Sequence, residues 1–399
     1  MKRCLGILFL MTMILCANAQ KKEISNARDN IKKNRNLEQA EKSMNDLLND
    51  SANRQNERIW ITLFDALVKQ YEQGNEKLYL KQKYDTIKLF NLMKRMVQVA
   101  ESLDSLDSSP DKKGKVDMKY RKRNAEFLHR YRPNLYNGGL FLVNKQKYSE
   151  AYSFFDAYID CGNQPLFSQF NYNENDRKMA DAAYWAVYCG YKMKDPTATF
   201  HHTYLALKDT AHYCMMLQYL AETYRLEKDT SRYVNTLLEG FEKYPLFEFF
   251  FPRLVQHYGE NGDWEKVMEI SERAISLKPD SEIYRLSKAN ALFNLGKYDD
   301  CIAICDQLIS EDDNMADAYY NAGMAYFQKA VEQDKKIQLS AKQKKVIKDY
   351  YLKALPYLKC FRALAPEQKE KWGLTLYTIY LNLNMGEEFD EIDKILRTK

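Results

Sequence analysis

The sequence is poor in glycine and proline, with 14 and 9 of these residues among 399. This scarcity excludes collagen-like and low-complexity proteins, which are rich in both residues. Hydrophobic residues make up 45% of the chain and charged residues 29%, so the chain can bury a core and still keep a polar surface. A mean hydropathy of −0.60 excludes a protein with several membrane spans. We therefore expect a soluble, globular chain.

Neither sign of charge dominates the sequence. Sixty Lys and Arg residues stand against 55 Asp and Glu, which gives a net charge of +5. This excess is too small to indicate nucleic acid or an anionic membrane surface as a partner. Basic runs occur at residues 121–123 and 342–345, and solvated helix faces explain them. No nucleic-acid partner is predicted.

Cysteines are few and are not spaced as metal ligands. None of the eight forms a CxxC pair. Cys301 and Cys305 lie four residues apart, on one face of a predicted helix, and we expect them to fill core positions rather than bind a metal. No disulfide is predicted, although an exported chain could oxidise its thiols.

The only long apolar run lies at the N-terminus. Residues 1–19 begin with Lys2 and Arg3, continue through an apolar stretch and end in Ala17-Asn18-Ala19, the pattern of a cleaved signal peptide. The run is too short for a membrane anchor. We expect cleavage after Ala19 and a periplasmic or secreted protein. A lipoprotein anchored at Cys16 is the alternative, but bulky Leu15 precedes that cysteine where a small residue is needed.

Turn residues recur at intervals of 34. Gly262 and Gly296 are 34 residues apart, and each lies in a turn before an aliphatic helical run. The same interval separates two further pairs, Ala289 and Gly323, and Pro245 and Pro279. No stretch alternates with the period of two that marks strands. The sequence therefore predicts an all-α chain with five successive units in one register.

Each unit resembles the tetratricopeptide repeat (TPR), a helix-turn-helix pair in which small residues let two helices approach. In the unit at 282–315, Ala289 and Ala291 occupy small positions of the first helix, and Gly296 and Tyr298 mark the turn. The chain is similar to secreted bacterial members of this family over about 131–397. The resemblance implies a right-handed α-solenoid in which each repeat stacks on its neighbours.

The quality of the match to the tetratricopeptide repeat divides the chain into three predicted regions. We expect a signal peptide at 1–19, a helical N-terminal region with degenerate repeats at 20–130, and a TPR-like superhelical array at 131–399. The best repeats lie at about 180–330. Residues 332–350 interrupt one unit, where we expect both helices to be extended.

Common catalytic motifs are absent from the sequence. It contains no HExxH, GxSxG, GxxxxGK[ST] or GxGxxG. Among the five histidines, His201, His202 and His212 could be grouped as a metal site, but we interpret them as polar surface near a turn, because tight structural sites use more ligands at set spacing. We predict no enzyme, no cofactor and no metal.

A stacked array presents a concave surface lined by the first helix of each pair. The resemblance implies that positions two, five, nine and twelve of each unit point into this surface. They give eleven candidate binding residues: Tyr184, Tyr188, Tyr191, Gln218, Glu222, Arg225, Gln256, Asn290, Phe293, Tyr320 and Met324. Rigid aromatic side chains on such a face suit extended peptides or glycans. The alternative is that the tyrosines pack between helices.

Chaperone-binding members of the family grip a C-terminal carboxylate with one lysine and two asparagines. Asn290 and Asn321 match two of these positions, but Leu286 stands where the lysine is needed. The main charge partner for a carboxylate is therefore missing. This carboxylate clamp is not predicted.

The sequence predicts an exported, non-enzymatic scaffold that binds protein partners or peptides through its concave face in the cell envelope. Two alternatives stay open: a glycan-binding protein of a nutrient-uptake system, and a hydrolase whose acid and base come together only on folding. Four Asp-Ser/Thr triplets of a kind that some Gram-negative bacteria glycosylate begin at residues 50, 85, 104 and 209. Three residues are too short a pattern to decide modification. The sequence does not identify the partner, the pathway or the oligomeric state.

Overall fold

The computed structural model describes residues 19–110, 114–116, 118–335 and 340–397. Within these ranges the structure is built from helices, turns and loops, and none of the described residues lies in a strand. The prediction of an all-α helical-repeat fold is confirmed. Most of the predicted signal peptide, residues 1–18, lies outside the described residues. Among the helices that are described, none has both the length and the hydrophobicity needed to cross a bilayer.

The chain divides into two compact units, Met1–Asp229 and Thr230–Lys399. The division at residue 130, which was drawn from repeat quality, stays a prediction. The helices of unit 1 are α1 (19–32), α2 (Leu37–Leu48), α3 (Glu57–Tyr79), α4 (Thr86–Asp107), α5 (Arg121–Tyr131), α6 (Pro133–Asn144), α7 (Tyr148–Asp160), α8 (Tyr172–Asn175), α9 (Met179–Met193), α10 (Pro196–His201), α11 (Thr203–Ala206) and α12 (Tyr213–Leu226).

Unit 1 is held together by one continuous apolar core. Helix α3 packs between α2 and α4, α6 packs on α4 and α7, and α9 packs on α7 and α12. Tyr71, Phe154 and Phe155 are among its largest fully buried side chains. Burying a large aromatic side chain stabilises the fold by about 1.5–3 kcal/mol, which favours helix pairs that interlock through rings.

Unit 2 is a series of helical hairpins. Its helices are α13 (Thr230–Lys243), α14 (Phe250–Glu260), α15 (Trp264–Leu277), α16 (Glu282–Asn294), α17 (Tyr298–Glu311), α18 (Ala316–Asp334), α19 (Ala341–Leu364), α20 (Lys369–Leu383) and α21 (Gly386–Arg397). Each helix packs on the next one along the chain, and α16 also contacts α18. Successive hairpins of this unit therefore stack in sequence order, as the 34-residue period predicts. Helices α18 and α19 are longer than the other helices of unit 2, as expected around residues 332–350.

The turns inside the hairpins share one backbone conformation. Gly262 and Gly296 both have a φ of +73°, in the left-handed region that glycine enters at little cost. Lys228 and Lys194 occupy the same position one and two periods before Gly262, with φ of 60° and 55°. After two of these turns an aspartate caps the next helix: Asp195 accepts a hydrogen bond from the backbone of Ala198 (3.1 Å), and Asp263 accepts one from the backbone of Lys266 (3.2 Å). The same backbone turn therefore recurs every 34 residues from Lys194 to Gly296.

The thiols of α17 are core residues. Cys301 and Cys305 are fully buried in a cluster with Leu308 and Ala322. Both cysteines are free thiols. The interpretation of this pair as packing residues is confirmed, because their side chains fill the space between α17 and α18.

Candidate functional site

A groove crosses the first helices of successive hairpins in unit 2. We call it the unit 2 groove; its cavity has a volume of about 430 Å³. The side chains that line it come from α14, α16, α18 and α20: Phe251, Pro252, Val255, Gln256, Ile283, Leu286, Ser287, Asn290, Asp317, Tyr320, Asn321 and Lys371. Three of them, Gln256, Asn290 and Tyr320, are among the binding residues predicted from the sequence.

The repeat period explains why these residues meet. Pro252, Leu286 and Tyr320 are spaced at intervals of 34, and all three line the unit 2 groove. Ser287 and Asn321 are related by the same interval. When hairpins stack in sequence order, residues one period apart lie side by side on equivalent helices. The groove is therefore a direct product of the repeat.

The apolar part of the groove combines a packed base with exposed aliphatic side chains. Phe251 is only 2% exposed, and its ring meets the ring of Tyr284 edge-on at a centroid distance of 4.6 Å. Ile283, by contrast, is 67% exposed. A bound ligand would remove the Ile283 side chain from water, which favours binding by about 25 cal/mol per Å² of apolar surface covered.

Amide side chains lie between these apolar residues. Gln256 donates to Glu260 (2.9 Å), and Asn290 accepts from Asn294 (3.1 Å). Asn321 is only 7% exposed. An amide both donates and accepts hydrogen bonds, as a peptide backbone does. The groove therefore offers matching partners to an uncharged polar chain.

One lysine contributes positive charge to the groove. The Nζ of Lys371 lies 4.0 Å from a carboxylate oxygen of Asp317 and 5.3 Å from the centroid of the Tyr320 ring. The Tyr320 ring lies 4.9 Å from that of Phe361, and burial raises the pKa of the Tyr320 hydroxyl. Tyr320 therefore stays an uncharged hydroxyl at neutral pH. Because Lys371 and Asp317 partly neutralise each other, the groove carries little net charge.

Two predicted residues of unit 2 pack between helices instead of lining the groove. Phe293 contacts Tyr298 at a ring distance of 5.9 Å. Met324 lies next to Thr375, whose hydroxyl is 3.7 Å from the methionine sulfur. The sequence reasoning in turn missed Phe251, Ile283 and Lys371 as groove residues. Ile283 lies seven residues before Asn290 and therefore on the same helical face, a spacing that could have revealed it.

A second cavity, of about 380 Å³, lies in unit 1 between the C-terminal ends of α9 and α12. Three predicted residues line it: Tyr191, Glu222 and Arg225. Arg225 forms an ion pair with Glu222 (2.7 Å), and the Tyr191 ring stacks on Tyr219 at 4.6 Å. Glu222 and Arg225 therefore pair with each other on a wall that also carries Lys192 and Lys194.

The other predicted residues of unit 1 are buried or half-buried. Tyr184 is 6% exposed, and its ring stacks on that of His212 at 4.1 Å. Tyr188 packs edge-on against Trp185 at 5.6 Å, and burial raises the pKa of the Tyr188 hydroxyl to about 12. Gln218 is half-buried on α12. Tyr184 therefore packs inside unit 1 and does not face an open surface.

The three histidines that could be grouped from the sequence lie in two separate clusters. His201 and His202 lie beside Asp156, whereas His212 lies beside Asp181 and Asp209. The shortest contacts are 2.8 Å from His202 Nε2 to Asp156 Oδ1 and 2.6 Å from His212 Nδ1 to Asp209 Oδ2. Each cluster joins two elements of unit 1 through imidazole and carboxylate groups.

Comparison with known proteins returns only structural likeness. No family model matches the chain, and no curated protein matches its sequence. The similar solved structures include the C-terminal part of a TPR repeat-containing protein from Cytophaga hutchinsonii (10% identity, TM-score 0.41, covering 65% of this chain and 88% of that one). A tetratricopeptide repeat protein from Parabacteroides merdae is similar at 14% identity and a TM-score of 0.36, covering 61% and 98% of the two chains.

A third similar structure is the TPR2AB domain of yeast Sti1, solved in complex with pHSP90 (16% identity, TM-score 0.27, covering 80% of this chain and 98% of that one). All three are tetratricopeptide repeat structures, the family that the sequence resembles. At these identities and TM-scores the likeness concerns architecture alone.

Proposed function

We propose that this chain is an exported, non-enzymatic scaffold that binds extended peptide segments of partner proteins in the unit 2 groove. The observation that carries the proposal is the composition of the groove, where exposed Ile283 and half-buried Val255 and Leu286 lie beside amide side chains on equivalent helices. A helical-repeat fold also suits a protein-interaction role, because stacked hairpins form a long surface.

An extended peptide matches this surface in two ways. Its apolar side chains can cover Ile283 and Leu286, which releases water from both partners. Its backbone N–H and C=O groups can pair with the amides of Asn290 and Asn321. Because the lining contains one lysine and one aspartate, the groove favours segments with little net charge. A strongly acidic or basic peptide would gain little from it.

Binding assays on selected peptides test the groove. Peptides selected from a display library on the full chain should bind with saturable affinity. Replacing Asn290 and Asn321 together by alanine should weaken binding by about 5- to 150-fold, because two hydrogen bonds of about 0.5–1.5 kcal/mol each are lost. The control is Asn382→Ala, an exposed amide elsewhere on α20 that should leave the affinity unchanged.

Two results would contradict the groove as the binding site. One is equal affinity of the selected peptides for the wild type and the double variant. The other is saturable binding of oligosaccharides with no peptide selected, which would favour the glycan-binding alternative. Circular dichroism melts of each variant check that the fold is retained.

Export is proposed from the N-terminal sequence alone. Mass spectrometry of the chain purified from the envelope fraction should give a mature N-terminus at Gln20. A lipid-modified N-terminus at Cys16 would instead establish a lipoprotein, and an intact Met1 would contradict export.

A further inference from the structure

Asp156, His201 and His202 form a compact cluster on the surface of unit 1. The ligand atoms that these three side chains offer all lie within 4.8 Å of one another. His202 Nε2 is 2.8 Å from Asp156 Oδ1, and His201 Nε2 is 3.9 Å from the same oxygen. The two imidazole rings are close together, with centroids 4.3 Å apart at an angle of 74°. The three groups therefore converge on one point.

The distances fit a tetrahedral metal. Zinc binds imidazole nitrogen and carboxylate oxygen at about 2.0–2.2 Å, so two ligand atoms of a tetrahedral site lie roughly 3.3–3.6 Å apart. The two measured distances, 2.8 and 3.9 Å, lie on either side of this value. Small side-chain rotations would equalise them. Two imidazoles and one carboxylate are also a ligand set that zinc uses in sites with an open fourth position.

The surroundings hold the ligands in place without supplying a competing cation. The pKa of Asp156 is lowered chiefly by its hydrogen bond to His202, and the basic groups that act on it are His202 and His201. His202 is mostly buried, with a side chain 12% exposed, and lies near the ring of Tyr152. The Asp156 carboxylate therefore faces imidazoles rather than a lysine or an arginine.

The cluster joins two helices of unit 1. Asp156 belongs to α7, whereas His201 ends α10 and His202 follows it. We propose that Asp156, His201 and His202 bind a divalent zinc ion that links α7 to the end of α10. Three protein ligands leave one coordination position for water or for a side chain of a partner protein. This inference is independent of the unit 2 groove.

Zinc titration of the purified full chain, prepared without a histidine tag, tests the proposal. All variants carry Cys360→Ser, because Cys360 is an exposed thiol that could bind zinc on its own. Calorimetry should detect one zinc ion per chain, and zinc should raise the melting temperature. His201→Ala and Asp156→Asn should each weaken binding at least tenfold. His201 is 60% exposed, so its removal leaves the packing of unit 1 nearly unchanged.

The second histidine cluster supplies the matched control. His212→Ala removes an imidazole that also lies beside carboxylates, and it should leave zinc binding unchanged. The proposal is overturned if the chain binds no zinc at micromolar concentration, or if His201→Ala binds zinc as the parent does. It is equally overturned if His212→Ala abolishes binding while His201→Ala retains it.

Discussion

At the scale of single residues, close helix contacts depend on glycines that cannot be enlarged. A Cβ added to Gly190 on α9 would lie 2.5 Å from the backbone nitrogen of Thr199 on α10. Backbone atoms cannot rotate away as a flexible side chain can. Gly386, which begins α21, is different, because a Cβ added there would meet nothing within 4 Å.

These two glycines give opposite predictions. Gly190→Ala should lower the free energy of unfolding by about 1–3 kcal/mol through overpacking. Gly386→Ala should leave it unchanged or raise it by about 0.4–1 kcal/mol, because alanine restricts the unfolded chain. Urea denaturation of both variants measures the difference. Equal stability of the two variants would show that α9 and α10 are not in close contact.

A half-buried carboxyl group on α4 gives unit 1 a pH-dependent stability. Burial, with a smaller contribution from Asp160, raises the pKa of Glu101 to about 7. The folded state therefore prefers the protonated acid, whereas the unfolded chain ionises near the ordinary value of 4.5. The stabilisation that the raised pKa of Glu101 contributes is therefore fully present below about pH 4.5, and it is lost as the pH rises through the folded-state pKa of about 7.

Glu101→Gln should remove this dependence, since glutamine stays neutral. The variant and the wild type should melt at similar temperatures near pH 4.5, and the variant should melt higher at pH 8. Glu126→Gln, at an exposed position of α5, is the control. If the melting temperatures of the wild type and Glu101→Gln differ by the same amount at pH 4.5 and at pH 8, Glu101 is not the source of the pH dependence.

The sequence predicts the groove residues only where the 34-residue period determines which helical face they occupy. Gln256 and Asn290 line the unit 2 groove as the repeat register predicts. Tyr184 occupies a register position of the same kind, yet it is buried, because His212 and Tyr219 pack against its ring. The period specifies a helical face, but the neighbouring loop and helix decide whether that face is covered.

At the scale of helices, local capping adds to what packing supplies. Ser340 begins α19 with a capping box: its hydroxyl accepts from the backbone of Gln343 (3.3 Å), and the Gln343 side chain accepts from the backbone of Ser340 (2.9 Å). Ser281 stands at the same position before α16 but makes no side-chain cap bond. Two serines at equivalent sites thus differ in one interaction.

Ser340→Ala should destabilise the chain by about 1 kcal/mol, the usual cost of losing an N-cap. Ser281→Ala should cost less, because no capping bond is lost. Thermal melts of both variants compare the two helices directly. A larger loss for Ser281→Ala than for Ser340→Ala would be inconsistent with the capping geometry.

Helix positions from about residue 250 onward could be predicted well, and those before residue 130 less well. The turns at Gly262 and Gly296 repeat one conformation, so each predicts the next. Helices α3 and α4 have 23 and 22 residues and no such repeat. Their boundaries are set by separate caps, such as Asn56 and Asp85, which recur at no fixed interval.

At the scale of the molecule, the unit 2 groove forms because the helical hairpins stack in sequence order, which brings residues one period apart together. In unit 2, residues 34 apart come together from α14, α16 and α18, and no single helix could form the groove alone. The contribution of Lys371 from α20 could not be predicted, because the long helices α18 and α19 shift the register before it.

Amide hydrogen exchange with and without a selected peptide reports where on the chain the peptide binds. We expect slower exchange in residues 282–290 and 316–324, whose helices line the unit 2 groove, and no change in residues 187–226. Slower exchange confined to residues 187–226, or no change at a saturating peptide concentration, would contradict binding in the unit 2 groove.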